Sequence, residues 1–338
     1  HAVENPFLHE FLEGQRTPLT IGLLALLAAV FLRGFREAIG LATWLAVPYL
    51  LLNLVVVGRG GWELLHRPEL LGGWRAALFA AHSPSELITA SVLTFPALAL
   101  GLSGFETGVT VMPLVKGAND DPASGPPPGR IRATRHLLTT AALIMSFFLV
   151  SSSFVTTLLI PEEAWREGGE ASGRALAWLA HHWFGDGFGT VYDISTILIL
   201  WFAGASAMAA MLNLIPRYLP RFGMAPDWVR FSRPLILLLF AIDVVVTLVF
   251  DSDVEAQGGA YATGVLALIF SAAVAVTLAT WKEARQAHVF PRLGFFFAVV
   301  AGVFLYTLLD NVHTRPDGII ISSIFIAAIL ILGGISRY

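Results

Sequence analysis

Residues 86–115 read ELITASVLTFPALALGLSGFETGVTVMPLV, a mostly apolar run of thirty residues that opens on Glu86 and carries a second carboxylate, Glu106, in its interior. A hydrocarbon core roughly 30 Å thick is crossed by about 20 mostly apolar residues of helix. The run is therefore a membrane span with length to spare. Its centre is Gly101-Leu102-Ser103-Gly104-Phe105-Glu106-Thr107-Gly108, with three glycines in eight residues. Each glycine weakens a helix by up to about 1 kcal/mol relative to alanine. An ionised glutamate at mid-bilayer costs several kcal/mol more. Two readings follow. In one, the helix is broken, its unwound backbone turns amides and carbonyls toward a buried ligand, and a half-helix end adds its dipole. In the other, the glycines form a close-packing face and Glu106 is a structural hydrogen-bonding group. The coincidence of glycines, glutamate and excess length favours the broken helix.

The rest of the chain puts this span in company. Of 338 residues, 56% are hydrophobic and 13% charged, against about 25% charged in soluble domains. So much apolar surface needs a bilayer as its solvent. Nine spans are expected, at Thr17–Leu32, Ile39–Val57, Glu86–Val115, Leu137–Ile160, Tyr192–Ile215, Pro234–Phe250, Ala260–Trp281, Leu293–Leu309 and Gly318–Gly333. Backbone groups in lipid must be bonded internally, so the spans are helices and the fold is all-α. The net charge of −3 and the lack of a basic patch interleaved with aromatics give no case for nucleic acid. With no cysteine, neither disulfides nor thiolate metal sites arise. The segment His1–Arg16 is polar and mixed, reads as a loop cut open, and no short cleavable signal precedes the first span.

Lys and Arg set the orientation. With the N-terminus outside, fourteen of the 21 basic residues fall in inner loops, among them Arg33, Arg36, Lys116, Arg217, Arg230 and Lys282. The acidic stretches Pro161–Glu170 and Asp251–Glu255 then fall outside. The expectation is an inner-membrane protein with its C-terminus inside. Gly58–Ser85 and Pro161–Val191 read as long outer loops, the second holding a short interfacial helix over Gly173–Phe184. Gly117–Gly129, rich in Pro, Gly and Asp, reads as a flexible inner connector. No internal repeat is visible in the sequence, although inverted structural repeats are often weak at that level.

Other polar residues inside spans are candidates. In the fifth span, Ser195, Thr196 and Ser206 could offer hydroxyl ligands to a cation or substrate, or bond their own helix carbonyls, the commoner fate. Gly204 and its small neighbours would allow close approach beside Ser206. Asp193, near the outer end of that span, reads as solvated. Asp243 inside the sixth span is an intramembrane carboxylate, a functional-site hypothesis by default. His181 and His182 do not share a helix face and lack the carboxylate spacing of a metalloenzyme. No metal and no cofactor is expected.

Several of these residues match a known pattern. Ser103 through Gly108 resembles the Gly-Phe-Glu motif in the sixth helix of amino acid–polyamine–organocation permeases, with Lys116 following near the inner end. Leu32-Arg33-Gly34-Phe35-Arg36-Glu37 resembles the turn between that family's fourth and fifth helices, and Val47-Pro48-Tyr49 a Pro-Tyr pair in its fifth. Ile215-Pro216-Arg217 through Gly223-Met224-Ala225-Pro226 looks like the inner end of its eighth. The resemblance implies a five-plus-five inverted-repeat transporter fold, seen here as one domain over residues 1–338 without the family's first three helices. It implies that Ser103, Gly104, Phe105, Glu106, Thr107 and Gly108 bind substrate and that Ser206, Gly204 and Thr196 face the coupling-ion region. The position four before Gly104, often aromatic in the family, is Leu100.

The function expected from this likeness is secondary active transport of amino acids by alternating access, driven by protons or another cation. Gly258-Gly259-Ala260-Tyr261-Ala262-Thr263-Gly264-Val265 also resembles the tenth helix of potassium-uptake permeases of the same superfamily, which makes potassium the alternative cargo. A chain without the missing helices would alternatively be an inactive fragment. A membrane-embedded enzyme would need His, Asp or Ser constellations at membrane depth, and the sequence offers none. The expected partners are the small-molecule substrate, a coupling ion and lipid.

Overall fold

The computed structural model describes residues 1–34, 39–81, 83–102, 112, 115–117, 127–166, 168–220 and 225–335. These are mostly helical, with no strand among the described residues. The helices are α1 (His9–Leu12), α2 (Arg16–Leu32), α3 (Ile39–His66), α4 (Pro68–Ala81), α5 (Pro84–Thr94), α6 (Pro128–Leu159), α7 (Glu162–Trp165), α8 (Ala175–Tyr218), α9 (Ser232–Val249), α10 (Val254–Gln286), α11 (Arg292–Thr314) and α12 (Asp317–Ile335). Six of them contain stretches long and apolar enough to cross a membrane: Thr43–His66, Pro128–Leu159, Ala175–Tyr218, Ser232–Val249, Ala256–Gln286 and Arg292–Thr314. Two shorter apolar helices, Arg16–Leu32 and Asp317–Ala328, overlap the first and ninth expected spans.

The outward faces agree with a lipid solvent. Along α6, Leu143, Phe147, Leu149 and Val150 are all exposed, and along α11 so are Phe295, Phe296 and Val299. Continuous apolar surface of this kind would drive aggregation in water, whereas lipid tails accept it. The chain is an all-α membrane protein.

Two compact units divide it. The first holds His1–Ser83, Val111–Met211 and Ile236–Thr247, and the second holds Pro84–Thr110, Leu212–Leu235 and Leu248–Tyr338, so α8 and α9 each contribute to both. In the first unit, Val56, Val57 and Leu64 of α3 bury against Val155 and Ile160 and against Leu179 and Ala180 of α8. The stretch expected to be the outer loop Gly58–Ser85 is instead helical: α3 runs on to His66, and α4 follows after Arg67. Arg59 and Arg67 both pair with Glu63 there, the latter at 2.9 Å, and these i,i+4 contacts support the extension.

In the second unit α10 packs along α11 and α12. Ala262 and Leu266 meet Phe304 and Leu308. The third expected span enters this unit in two forms. Residues Pro84–Thr94 are α-helix, and Phe95–Leu102 continue as a 3-10 helix. An eight-residue 3-10 run is long for that geometry, which rarely exceeds three or four residues. Pro96 explains where the change begins. It has no amide to give the carbonyl four residues back, and its ring crowds that carbonyl. The carbonyl is Val92, and the Tyr306 hydroxyl of α11 donates to it at 3.0 Å. A neighbouring helix thus satisfies the acceptor that proline strands.

Replacing Tyr306 with Phe removes that donor and keeps the ring. The expected loss is about 1 kcal/mol of stability, read as a lower thermal midpoint in detergent. An unchanged midpoint would mean that the Val92 carbonyl does not depend on Tyr306.

Candidate functional site

Two polar clusters stand out, one in each unit. In the first unit, α8 is two helical pieces, 175–184 and 186–218, joined at Gly185, whose φ of 78° lies in the left-handed region that favours glycine. The kink lets His181 fold back over the start of the longer piece. Its Nδ1 lies 3.2 Å from Asp186 Oδ1 and its Nε2 3.0 Å from Asp193 Oδ2. The ring rests on Gly189, where an added Cβ would sit 2.3 Å from the imidazole. Only glycine leaves that space.

Asp193 is 1% exposed. Besides His181, its carboxylate accepts Asn5 Nδ2 at 2.9 Å and meets His1 Nδ1 at 2.9 Å. Asn5, also buried, donates to the Thr190 hydroxyl at 3.1 Å, and its own Oδ1 accepts the Phe7 amide. Arg174 donates to the Glu4 carbonyl at 2.8 Å. The segment before α1 is thereby tied to α8 by polar contacts. A buried carboxylate without donors would be heavily penalised, and three side chains meet that demand.

Tyr192, next in sequence to Asp193, turns toward α3. Its hydroxyl donates to Asn53 Oδ1 at 2.8 Å, and Asn53 donates to the Tyr49 carbonyl at 2.8 Å. The Tyr49 and Tyr192 rings lie 6.5 Å apart, which gives Tyr49 of the Val47-Pro48-Tyr49 stretch a packing role within the first unit.

The second cluster lies beside the Pro96 break. A cleft of about 260 Å³ is bounded by Thr94, Pro96 and Ala97 on one side and by Asp310, Asn311 and Arg315 on the other. Asn311 is buried and donates to the Thr263 hydroxyl at 2.8 Å and the Gly259 carbonyl at 3.4 Å, joining α11 to α10. Arg315 also borders a smaller adjoining hollow of about 180 Å³ with Asp317. The cleft thus offers a carboxylate, a guanidinium and hydroxyls above an apolar floor, groups suited to a small ligand carrying both charges.

The expected site residues are distributed unevenly. Ser103, Gly104, Phe105, Glu106, Thr107 and Gly108 lie outside the described residues, as do parts of the Arg33–Glu37 and Gly223–Ala225 motifs. Thr196 is buried and donates to its own helix at Tyr192. Ser206 is exposed and donates to Phe202 at 3.1 Å. For both, the intrahelical alternative is the one adopted. Gly204 has Leu27 of α2 nearby, 3.7 Å from where its Cβ would be. Asp243 is half-buried in α9, where its carbonyl accepts the Thr247 hydroxyl. Asp193, expected to be solvated, is instead the most enclosed carboxylate among the described residues of the first unit, because the chain before α1 and the fold-back of His181 cover it. Asp310 and Asn311 were not anticipated, although their position at the end of an apolar helix was visible, and Pro96 inside an apolar run was the available signal for the break. Among the described residues no group of three or more His, Cys, Asp or Glu is placed to hold a metal.

No protein-family model matches the chain, nor does any curated protein or any solved structure.

Gly189→Ala is expected to displace His181 and lower stability by about 1–3 kcal/mol, as overpacking does. Adding His181→Ala should recover part of that loss, so that the double variant is less destabilised than the two losses summed. Thermal midpoints of the four proteins measure the coupling, and simple additivity would separate His181 from Gly189.

Proposed function

We propose that the chain is the membrane domain of a secondary active transporter that moves amino acids across the cytoplasmic membrane by alternating access, coupled to protons or another cation. The observation that carries the reading is the interrupted third span. Its α-helix stops at Thr94, a 3-10 stretch leads to Leu102, and a cleft with charges of both signs lies beside it. Transporters place substrate where a spanning helix is discontinuous, because unwound backbone supplies polar groups that an intact helix keeps to itself. The next residues in sequence are Ser103 to Gly108, the stretch that resembles the permease motif.

In this reading Glu106 stabilises the unwound segment and responds to a proton or cation. Asp310 and Arg315 favour a ligand with both an ammonium and a carboxylate, which supports amino acids as cargo. The potassium reading rests on the Gly258–Val265 likeness. In the fold this run lies on α10, with Thr263 bonded to Asn311, and Asp310 would then serve a cation alone.

Uptake by the full-length protein in proteoliposomes separates these readings. Labelled amino acids are expected to accumulate only with an imposed proton or cation gradient. Glu106→Gln should lower uptake at least tenfold while leaving membrane insertion intact. Potassium accumulation without amino-acid uptake would assign the alternative cargo, and normal uptake by Glu106→Gln would remove that residue from the mechanism.

A further inference from the structure

Arg315 belongs to the short link between α11 and α12, and both flanks of that link are fixed on α10. On one flank the buried Asn311 donates to the Thr263 hydroxyl and to the Gly259 carbonyl. On the other, Gly318 comes so close to Thr263 that an added Cβ would lie 2.2 Å from its hydroxyl oxygen. The Arg315 amide donates to the Asn311 carbonyl at 2.9 Å, and its φ of −135° and ψ of 75° mark where α11 has ended. The backbone that carries Arg315 is thus held on both sides, and its side-chain torsions are left to aim the guanidinium.

Gly259 of α10 meets that side chain. A Cβ at Gly259 would lie 2.7 Å from Arg315 Cδ and 3.5 Å from its Cβ and Cγ. The first distance is far inside the roughly 3.5–4.0 Å of a favourable carbon contact. With only hydrogen at Gly259, the Arg315 stem lies against α10, and the side chain borders the cleft with Thr94, Pro96, Asp310 and Asn311. Arg315 also borders the smaller hollow with Ala256, Ala260 and Asp317, so a stem pushed off Gly259 has a carboxylate to turn toward. A methyl group at this position would not have to distort either helix. The stem can move to another staggered rotamer at little cost, and the guanidinium moves with it.

We propose that Gly259 is a positioning residue: by admitting the Arg315 stem it places the guanidinium to receive the substrate carboxylate, and so sets a preference for amino acids over the corresponding amines. The proposal rests on the amino-acid transport reading of the cleft. A guanidinium offers paired N–H donors matched to a carboxylate, and a displaced one does not present them. An amine keeps the ammonium that Asp310 favours and brings nothing for Arg315. Small residues in spanning helices also serve plain helix approach, but that role creates no preference between the two ligands.

The test is ligand binding by the full-length protein in detergent. The probes are the standard amino acids and the amine that each leaves on losing its carboxylate. The unaltered protein should bind at least one amino acid, and bind it more tightly than its amine. Arg315→Gln should cut that preference about tenfold or more, the scale of a charge-assisted hydrogen bond. Gly259→Ala should cut it comparably with the thermal midpoint little changed, and should add no further loss in the Arg315→Gln background. Gly302→Ala on α11, where an added Cβ meets nothing within 4 Å, should leave the preference as it was. If the unaltered protein binds no amino acid, the amino-acid reading of the cleft fails and this proposal falls with it. A preference that survives Arg315→Gln would remove Arg315 from carboxylate recognition and overturn the proposal. A preference lost in Arg315→Gln but kept in Gly259→Ala would overturn the positioning role alone. So would a large drop in the Gly259→Ala midpoint, or an equal further loss when it is added to Arg315→Gln, because Gly259 would then serve helix packing.

Discussion

Hydrogen bonding of the backbone in hydrocarbon governs this structure. Inside a bilayer no water is available for a stray carbonyl, and each unsatisfied group costs several kcal/mol. Long helices meet that demand everywhere along α6, α10 and α11. Where a helix fails to meet it, another part of the protein must. Pro96 is such a failure, and the Tyr306 hydroxyl covers the Val92 carbonyl that it strands. The departure from α-helix at Phe95 is therefore supported by a second helix, and the cleft against Asp310, Asn311 and Arg315 opens where the regular ladder ends.

The same demand shapes the polar side chains. Asn311 joins Thr263 and the Gly259 carbonyl, Tyr192 joins Asn53, and Asp193 gathers Asn5, His1 and His181. Helices in lipid gain little from the hydrophobic effect against one another, so such contacts and small-residue approaches specify which helices meet. Gly189 under the His181 ring is one such approach, and the kink at Gly185 makes the ring's path possible.

Much of this was legible in the sequence and some was not. Apolar length and the dearth of charge implied an all-α membrane protein, because a 20-residue apolar stretch has few other fates. The short helix expected over Gly173–Phe184 forms from Ala175 onward. The expected loop Gly58–Ser85 was misread, since Glu63 with its two arginines is a helix-supporting pattern that hydropathy overlooks. Asp193 was misread because burial of a carboxylate depends on donors distant in sequence, Asn5 and His1 among them, which no local window contains. Thr196 and Ser206 illustrate the opposite case: a hydroxyl within a helix finds its own carbonyl four residues back, a local rule the sequence alone could have favoured.

The central claim is that a polar, water-reachable cleft interrupts an otherwise lipid-adapted helical protein near Pro96. These 338 residues contain no cysteine, so a single introduced thiol is a clean reporter. The decisive measurement is labelling of Ala97→Cys and of Leu268→Cys, on the outward face of α10, in membranes with a charged, membrane-impermeant thiol reagent. Rapid labelling at Ala97 with none at Leu268 is the predicted result. Ala97 as inert as Leu268 would contradict the account, because the break would then face lipid and offer nothing to a substrate.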